Sequence, residues 1–205
     1  MTGNIYIVDD DDGVRTSLQA LLCARFHCIV RGFRCGCSFL EEVDEIDPGV
    51  LLIDFHMPGA SGIDVLEAIA PHEGRFVPII VTGRGNVAIA VQAMKAKAFD
   101  LLEKPYQPAK LIDTVEAALS RFHHDRAVKE RKEAARKSIA KLSSRETEVL
   151  KGLIDGRPNK QIAHELNLSP RTVEIYRANL MDKLDVRSLS EALRIAFTAG
   201  LFPEA

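Results

Sequence analysis

The sequence lacks any apolar run near the roughly 20 residues that a membrane-spanning helix needs. Its first residues, "MTGNIYIV", carry no basic region, so no secretory signal is read there. The expected location is the cytoplasm, with no membrane partner. Cysteine is scarce: there are four, Cys23, Cys28, Cys35 and Cys37, all within the first 37 residues. The spacings of four-ligand zinc sites are missing, and cytosolic chains rarely keep structural disulfides. The thiols therefore read as incidental, with redox sensing through Cys35 and Cys37 as the alternative. An excess of one charge is missing too, with 27 Lys+Arg against 29 Asp+Glu.

That balance hides an uneven spread. Residues 1–120 hold 10 Lys+Arg and 17 Asp+Glu, residues 121–141 hold 8 and 3, and residues 142–205 hold 9 of each. An acidic first part, a basic connector and a neutral last part mark boundaries. The reading is a domain over 1–120, a helical linker over 121–141 and a second domain over 142–205.

In the first part, β-rich runs alternate with helical patterns. The runs are Ile5–Val8, Ile29–Val30, Val50–Ile53, Ile79–Val81 and Phe99–Leu102. Apolar residues at helical spacing follow each: Val14, Leu18, Leu21 and Leu22; Phe39, Leu40 and Val43; Val65, Leu66 and Ile69; Val87, Val91 and Met94; Leu111, Ile112, Val115 and Leu119. Five strands alternating with five helices predict a doubly wound α/β domain of flavodoxin-like type, with a five-stranded parallel sheet.

Such sheets act at the carboxyl ends of their strands. Those ends carry Asp9 and Asp10, then Asp54 in "LLIDFHMPG", Thr82 in "IIVTGRG" and Lys104 in "LLEKP". Clustered carboxylates favour a hard divalent cation with oxygen ligands. Magnesium is the first expectation, with manganese or calcium able to take the same site. Asp10 and Asp54 are the expected direct ligands, Asp9 acts through water, and the His56 backbone carbonyl adds an oxygen. Asp11 and Asp12 are expected to turn outward and favour the next helix N-terminus. A carboxylate beside such a cation can accept a phosphoryl group. Asp54 is the candidate, with Thr82 to hydrogen-bond the group and Lys104 to pair with it. Gly83 leaves space beside the acceptor.

"VDDDDG", "LLIDFHMPG.SG", "VTGRG" and "EKP" resemble the receiver domain of two-component response regulators, over about residues 4–120. The resemblance implies that a cognate sensor histidine kinase phosphorylates Asp54. It also implies that Thr82 is the switch hydroxyl. Leu101 stands where many receivers carry an aromatic ring that moves with that hydroxyl. His56 and Arg84 flank the site.

The connector "SRFHHDRAVKERKEAARKSIAK" has neither Gly nor Pro and favours a helix continuing the fifth one. From Leu142 onward, helix follows helix. Ser143 with Glu146 forms a capping box, and Gly156 ends that helix. A short helix, a turn through Asn167–Leu168–Ser169 and a longer helix opened by Ser169 and Pro170 give a helix-turn-helix pattern. In that geometry the second helix meets the major groove of double-stranded DNA. Arg171, Thr172, Glu174, Ile175, Asn179 and Lys183 face outward on it. Lys160, Arg177 and Lys183 suit phosphate contact.

"LSSRETEVL" and "NKQIAHELNLSPRTVEIYRANLMDKL" resemble the LuxR-type four-helix output domain, so the whole chain is similar to response regulators of the FixJ/NarL type. Tyr176 stands where that family often has His. The resemblance implies a transcription regulator, not an enzyme, that dimerises when phosphorylated and binds promoters. Val91, Met94 and Lys95 are the candidate receiver dimer surface. The helix Leu189–Ala199 pairs output domains, and RNA polymerase is a further partner. An aspartyl-phosphate phosphatase is the rival reading; it lacks a general acid and a substrate-capping region.

Overall fold

A computed structural model describes residues 3–72, 74–83 and 87–201. Two compact units divide between Arg126 and Ala127. In the first, strands β1 (Asn4–Val8), β2 (Ile29–Phe33), β3 (Gly49–Asp54), β4 (Phe76–Thr82) and β5 (Asp100–Glu103) form one sheet in the order β2-β1-β3-β4-β5. All its pairings are parallel. Helices α1 (Asp12–Arg25), α2 (Gly36–Leu40), α3 (Gly62–Ile69), α4 (Val87–Lys95) and α5 (Pro108–Ile139) alternate with the strands. This is the expected doubly wound α/β architecture.

Alternation along the strands sorts side chains into two cores, because successive residues point to opposite faces. Ile5, Ile7, Val50, Leu52, Ile79 and Val81 pack with Leu18 and Leu22 of α1 and with Leu111, Val115 and Phe122 of α5. Tyr6, Val8, Leu51, Ile53, Phe76 and Ile80 pack on the other face, with Phe39 of α2, Val65 and Leu66 of α3 and Ala93 of α4. Gly49 lets β3 close on β1, since a Cβ there would lie 2.2 Å from the Asn4 carbonyl oxygen.

Two helices differ from expectation. The second stops after five residues, and Val43 reaches the core from the turns that follow. Within those turns the Glu42 carbonyl still accepts from the Ile46 N–H at 3.1 Å, but the last two carbonyls are taken by distant side chains. Arg75 Nη2 donates to Ile46 O at 2.6 Å, and Tyr6 Oη donates to Asp47 O at 2.7 Å. Phe39 anchors the short helix, with ring centroids 5.3 Å from Phe33 and 5.6 Å from Phe76. Each such pair adds about 0.5–1.5 kcal/mol beyond burial. The inward face of α4 is the second departure. Val87, Val91 and Met94 are 81%, 46% and 49% exposed, while Ile89 and Ala93 make the core contact. The outward placement of Val91 and Met94 fits their reading as an outer surface; the inward face, with Ile89 and the small Ala93, was not singled out in the sequence.

Helix α5 runs 32 residues. The second unit continues with α6 (Ser144–Ile154), α7 (Asn159–Glu165), α8 (Pro170–Leu184) and α9 (Leu189–Ala199). Ser143, Ser169 and Ser188 accept hydrogen bonds from the first turns of α6, α8 and α9. Val149, Leu150, Leu153, Ile162, Ala163, Val173, Leu180, Leu184, Ala192 and Ala196 form its core, with Ile139 from the end of α5 packed against it. Asn167, at φ +53°, makes the left-handed turn between α7 and α8. Asn tolerates that conformation better than most side chains. Among the described residues, no helix is long and apolar enough to cross a membrane.

Candidate functional site

Parallel strands β1, β3 and β4 end side by side, so their last residues share one edge. There, carboxylate oxygens of Asp9, Asp10 and Asp54 all lie within 4.8 Å of one another. Lys104, just beyond β5, donates to Asp9 Oδ2 at 2.8 Å and to Asp54 Oδ2 at 3.1 Å. The Lys104 backbone N–H donates to Thr82 O at 2.7 Å, tying the ends of β4 and β5. Thr82 is fully buried. The Lys104–Pro105 peptide is cis.

Burial opposes charge on Lys104 and is the largest influence on it. The hydrogen bond to Asp9 and the field of Asp54 outweigh it, holding the ammonium above its ordinary range. Tyr106 is half-buried nearby, and burial first, then Asp9 and Asp54, push its phenol up against the pull of Lys104.

The four aspartates separate by role. Asp9 is 2% exposed. Its N–H donates to Phe33 O at 3.2 Å, and its Oδ1 accepts from the Asp11 N–H at 2.9 Å. Its carbonyl accepts from Arg15 Nη1 at 2.6 Å. With Lys104 on Oδ2, every polar atom of Asp9 is held. Asp10 is exposed and makes no hydrogen bond or ion pair among the described residues. Asp11 caps α1, its Oδ1 accepting from Gly13 and Val14 N–H. Those backbone bonds keep its carboxyl below the ordinary range. Asp12 begins α1 and pairs with Arg15. The outward turn of Asp11 and Asp12 matches the sequence reading.

Asp54 lines a cleft of about 400 Å³ together with His56, Gly83 and Lys104. The His56 N–H points to Asp54 Oδ1 at 3.4 Å, and its ring packs on Phe55 with centroids 4.7 Å apart. A Cβ at Gly83 would meet no atom within 4 Å, so this conformation does not itself require glycine there. Arg84 lies outside the described residues. Leu101 is half-buried against the second core. Sequence reasoning missed Gly62, which is tighter: a Cβ there would stand 2.7 Å from the Asp54 carbonyl oxygen. It missed Arg15 as well. Gly62 is the last residue of the quoted "LLIDFHMPG.SG", a signal that could have found it; an arginine on a helix carries none of its own.

On the receiver's outer face, Val91, Met94 and Lys95 are exposed. In the second unit, Arg171, Glu174, Ile175 and Asn179 form one exposed stripe of α8, opposite buried Val173, Leu180 and Leu184. Thr172 is half-buried, its Oγ1 2.8 Å from Ser169 Oγ. Lys160 is exposed on α7. Arg177 and Lys183 have protein partners: Arg177 Nη1 donates to Asn159 Oδ1 at 2.6 Å, and Lys183 Nζ donates to Glu146 Oε2 at 2.7 Å.

Among the described thiols, Cys23 and Cys37 are exposed and Cys28 and Cys35 half-buried, and no disulfide joins them. Cys35 caps α2, its Sγ accepting from Ser38 N–H at 3.3 Å.

Comparison with known proteins agrees with this geometry. Residues 5–116 match the response regulator receiver domain, and residues 140–196 match the luxR family of bacterial regulatory proteins. The transcriptional regulatory protein FixJ of Azorhizobium caulinodans is 40% identical over 199 residues, covering 97% of this chain and 94% of that protein. The solved structure of the response regulator StyR superposes with a TM-score of 0.83 at 35% identity, covering 95% of this chain and 98% of that one. Full-length FixJ from B. japonicum gives a TM-score of 0.59 at 38% identity, with 98% of each chain covered. Receiver domain and DNA-binding domain together imply DNA and a cognate histidine kinase as partners. The chain therefore belongs to the response-regulator family, as a FixJ-like transcriptional regulator with a receiver domain and a LuxR-type DNA-binding domain.

Proposed function

We propose that this regulator is switched by phosphorylation of Asp54, and that its acidic edge holds Mg2+ or a similar divalent cation. The observation that carries the reading is the convergence of three carboxylates within 4.8 Å, with Lys104 bridging two of them. The donor set fits a hard cation: all oxygen, partly open, with Asp10 unengaged. Asp10, Asp54 and the His56 carbonyl are the proposed direct ligands. Asp9, whose oxygens already accept bonds, acts through water. When bound, the cation offsets charge on the phosphoryl oxygens.

An Asp54 carboxylate oxygen attacks phosphorus; its P–O bond forms as the donor's bond to phosphorus breaks, P–N in the kinase's phosphohistidine (leaving imidazole) or P–O in acetyl phosphate (leaving acetate), and an aspartyl-phosphate results. Lys104 turns from the Asp54 carboxylate to the new phosphoryl oxygens. The Thr82 hydroxyl bonds the same group, drawing β4 inward and with it α4. The outer face at Val91, Met94 and Lys95 then pairs with a second copy. This is a population shift, requiring the phosphoryl group to favour the active state.

Dimers place two α8 helices on double-stranded DNA, where Arg171, Thr172, Glu174, Ile175 and Asn179 meet base edges. Lys160, Arg177 and Lys183 approach phosphates, the latter two keeping or exchanging their protein partners. Two half-sites add contact energy that one small domain lacks. RNA polymerase is the proposed downstream partner, in the cytoplasm.

The test is intact-mass measurement after incubation with Mg2+ and acetyl phosphate. Wild type is expected to gain one phosphoryl group and Asp54→Asn none. Labelling of the Asp54→Asn variant would overturn the assignment. So would an unlabelled wild type whose oligomeric state also ignores beryllofluoride.

A further inference from the structure

Arg15 is a long cation on α1, yet its side chain is only 14% exposed. It lies along β2, where a Cβ on Gly32 would stand 3.4 Å from Arg15 Cδ. One guanidinium nitrogen donates to the Asp9 carbonyl at 2.6 Å, and another pairs with the Asp12 carboxylate. The first bond matters for the cation site. The Asp9 carbonyl and the Asp10 N–H belong to one planar peptide unit. Holding that oxygen holds the plane that carries the Asp10 Cα. The peptide on the other side of Asp10 is held by the Asp11 N–H bond to Asp9 Oδ1 at 2.9 Å, while the Asp10 side chain is exposed and makes no bond among the described residues.

We propose that Arg15 is a positioning residue for the divalent cation, its bond to the Asp9 carbonyl aiming Asp10 at the ion. The proposal rests on the cation reading above. It explains why a guanidinium is tolerated beside a cation site at all. Through charge alone, Arg15 repels a divalent ion and weakens its binding. Through geometry it strengthens binding, because groups that orient metal ligands change affinity by about 10–100-fold. The two roles have opposite signs, so one substitution separates them.

The experiment is calorimetric titration of Mg2+ into full-length wild type, Arg15→Met and Arg15→Lys at fixed ionic strength. Unfolding midpoints are measured without Mg2+ alongside. Arg15→Met keeps the stem over Gly32 and loses both donors; it is expected to bind Mg2+ about tenfold more weakly. Arg15→Lys keeps the charge and one donor and is expected to fall between. In acetyl phosphate labelling, the Mg2+ concentration at half-maximal rate rises, and the rate at saturating Mg2+ returns toward wild type. Equal or tighter binding by Arg15→Met overturns the inference. Should that variant fail to fold, Arg15→Lys decides: weaker binding supports the inference and unchanged binding overturns it. A wild type that binds no Mg2+ overturns the cation reading itself, a distinct outcome.

Discussion

The Lys183 ammonium sits 2.7 Å from Glu146 Oε2, joining the last turn of α8 to the first turn of α6. Glu146 is 3% exposed and also accepts from the Ser143 N–H at 2.7 Å. One carboxylate thus closes a capping box and holds α8, the helix proposed to meet DNA.

Glu146→Gln is expected to destabilise the output unit by about 1–3 kcal/mol, as loss of a charged partner in a buried network does. Burial is the largest influence on Glu146 and raises its pKa, but the bonds from Lys183 and Ser143 outweigh it and leave the carboxyl below its ordinary 4.5. The contribution is therefore full above that value and lost as pH falls through the lower folded value. Urea unfolding of wild type and variant across acid pH should show the two curves converging. Lys183→Ala should lose stability too. If it keeps its stability and only flattens the salt dependence of DNA binding, Lys183 is a phosphate contact and no more.

Lys104→Met leaves Asp9 buried beside Asp54 with no ammonium between them. The apo protein should lose about 2–4 kcal/mol, near the range for breaking a buried pair, since Lys104 retains some exposure. Mg2+ should restore part of the melting temperature. In wild type the Lys104 contribution is complete below the ordinary lysine value of 10.5 and is lost only as pH climbs through the raised folded value. Neutral pH therefore should not modulate it. Thermal melts with and without Mg2+ check both statements.

Gly62→Ala and Gly83→Ala should behave differently. A methyl at Gly62 meets the Asp54 carbonyl at 2.7 Å and the Phe55 Cα at 2.9 Å, both backbone. Overpacking of this kind costs about 1–3 kcal/mol and moves the acceptor loop, so acetyl phosphate labelling should slow. Gly83→Ala meets no atom within 4 Å and should melt like wild type. If it nevertheless labels slowly, the space beside the acceptor is used only when the phosphoryl group arrives.

Cys35→Ser/Cys37→Ser should label and dimerise as wild type does. Serine caps helices well, so the bond from Ser38 has a replacement. Loss of the response in this variant, with folding intact, would bring thiol control forward.

Asn179→Ala and Arg171→Ala should relax preference at single base positions by about 1–3 kcal/mol each. Binding to duplexes selected from a random pool would read this. Uniform weakening on all sequences would place them on phosphates instead.

The sheet, its strand ends and the caps of α6 and α8 were legible because each rests on local pattern: alternation, a terminal polar residue, a serine before an apolar helix. The early end of α2 was not, because the groups that satisfy its turn, Arg75 and Tyr6, lie far off in sequence. On α4 the apolar stripe was legible and Val91 and Met94 lie outward as a surface reading requires, but apolar spacing did not show that Ile89 and Ala93 turn inward. At the site, Asp9, Asp10, Asp54, Thr82 and Lys104 announced themselves by residue type at strand ends. Gly62 and Arg15 act through close approach to backbone, which a sequence does not display. Lys183 and Arg177 looked like free cations because their partners, Glu146 and Asn159, sit on other helices.

The run Asp9–Asp12 looks like one repeated letter, yet its members answer to different substitution rules. Asp9, bonded at every polar atom, admits no change of length or charge. Asp10, open to water, admits another carboxylate that can reach the same point. Asp11 is exchangeable with Ser, Thr or Asn, any of which can cap α1. Asp12 needs only a partner for Arg15. Across homologous chains, the four columns should therefore drift at four different rates.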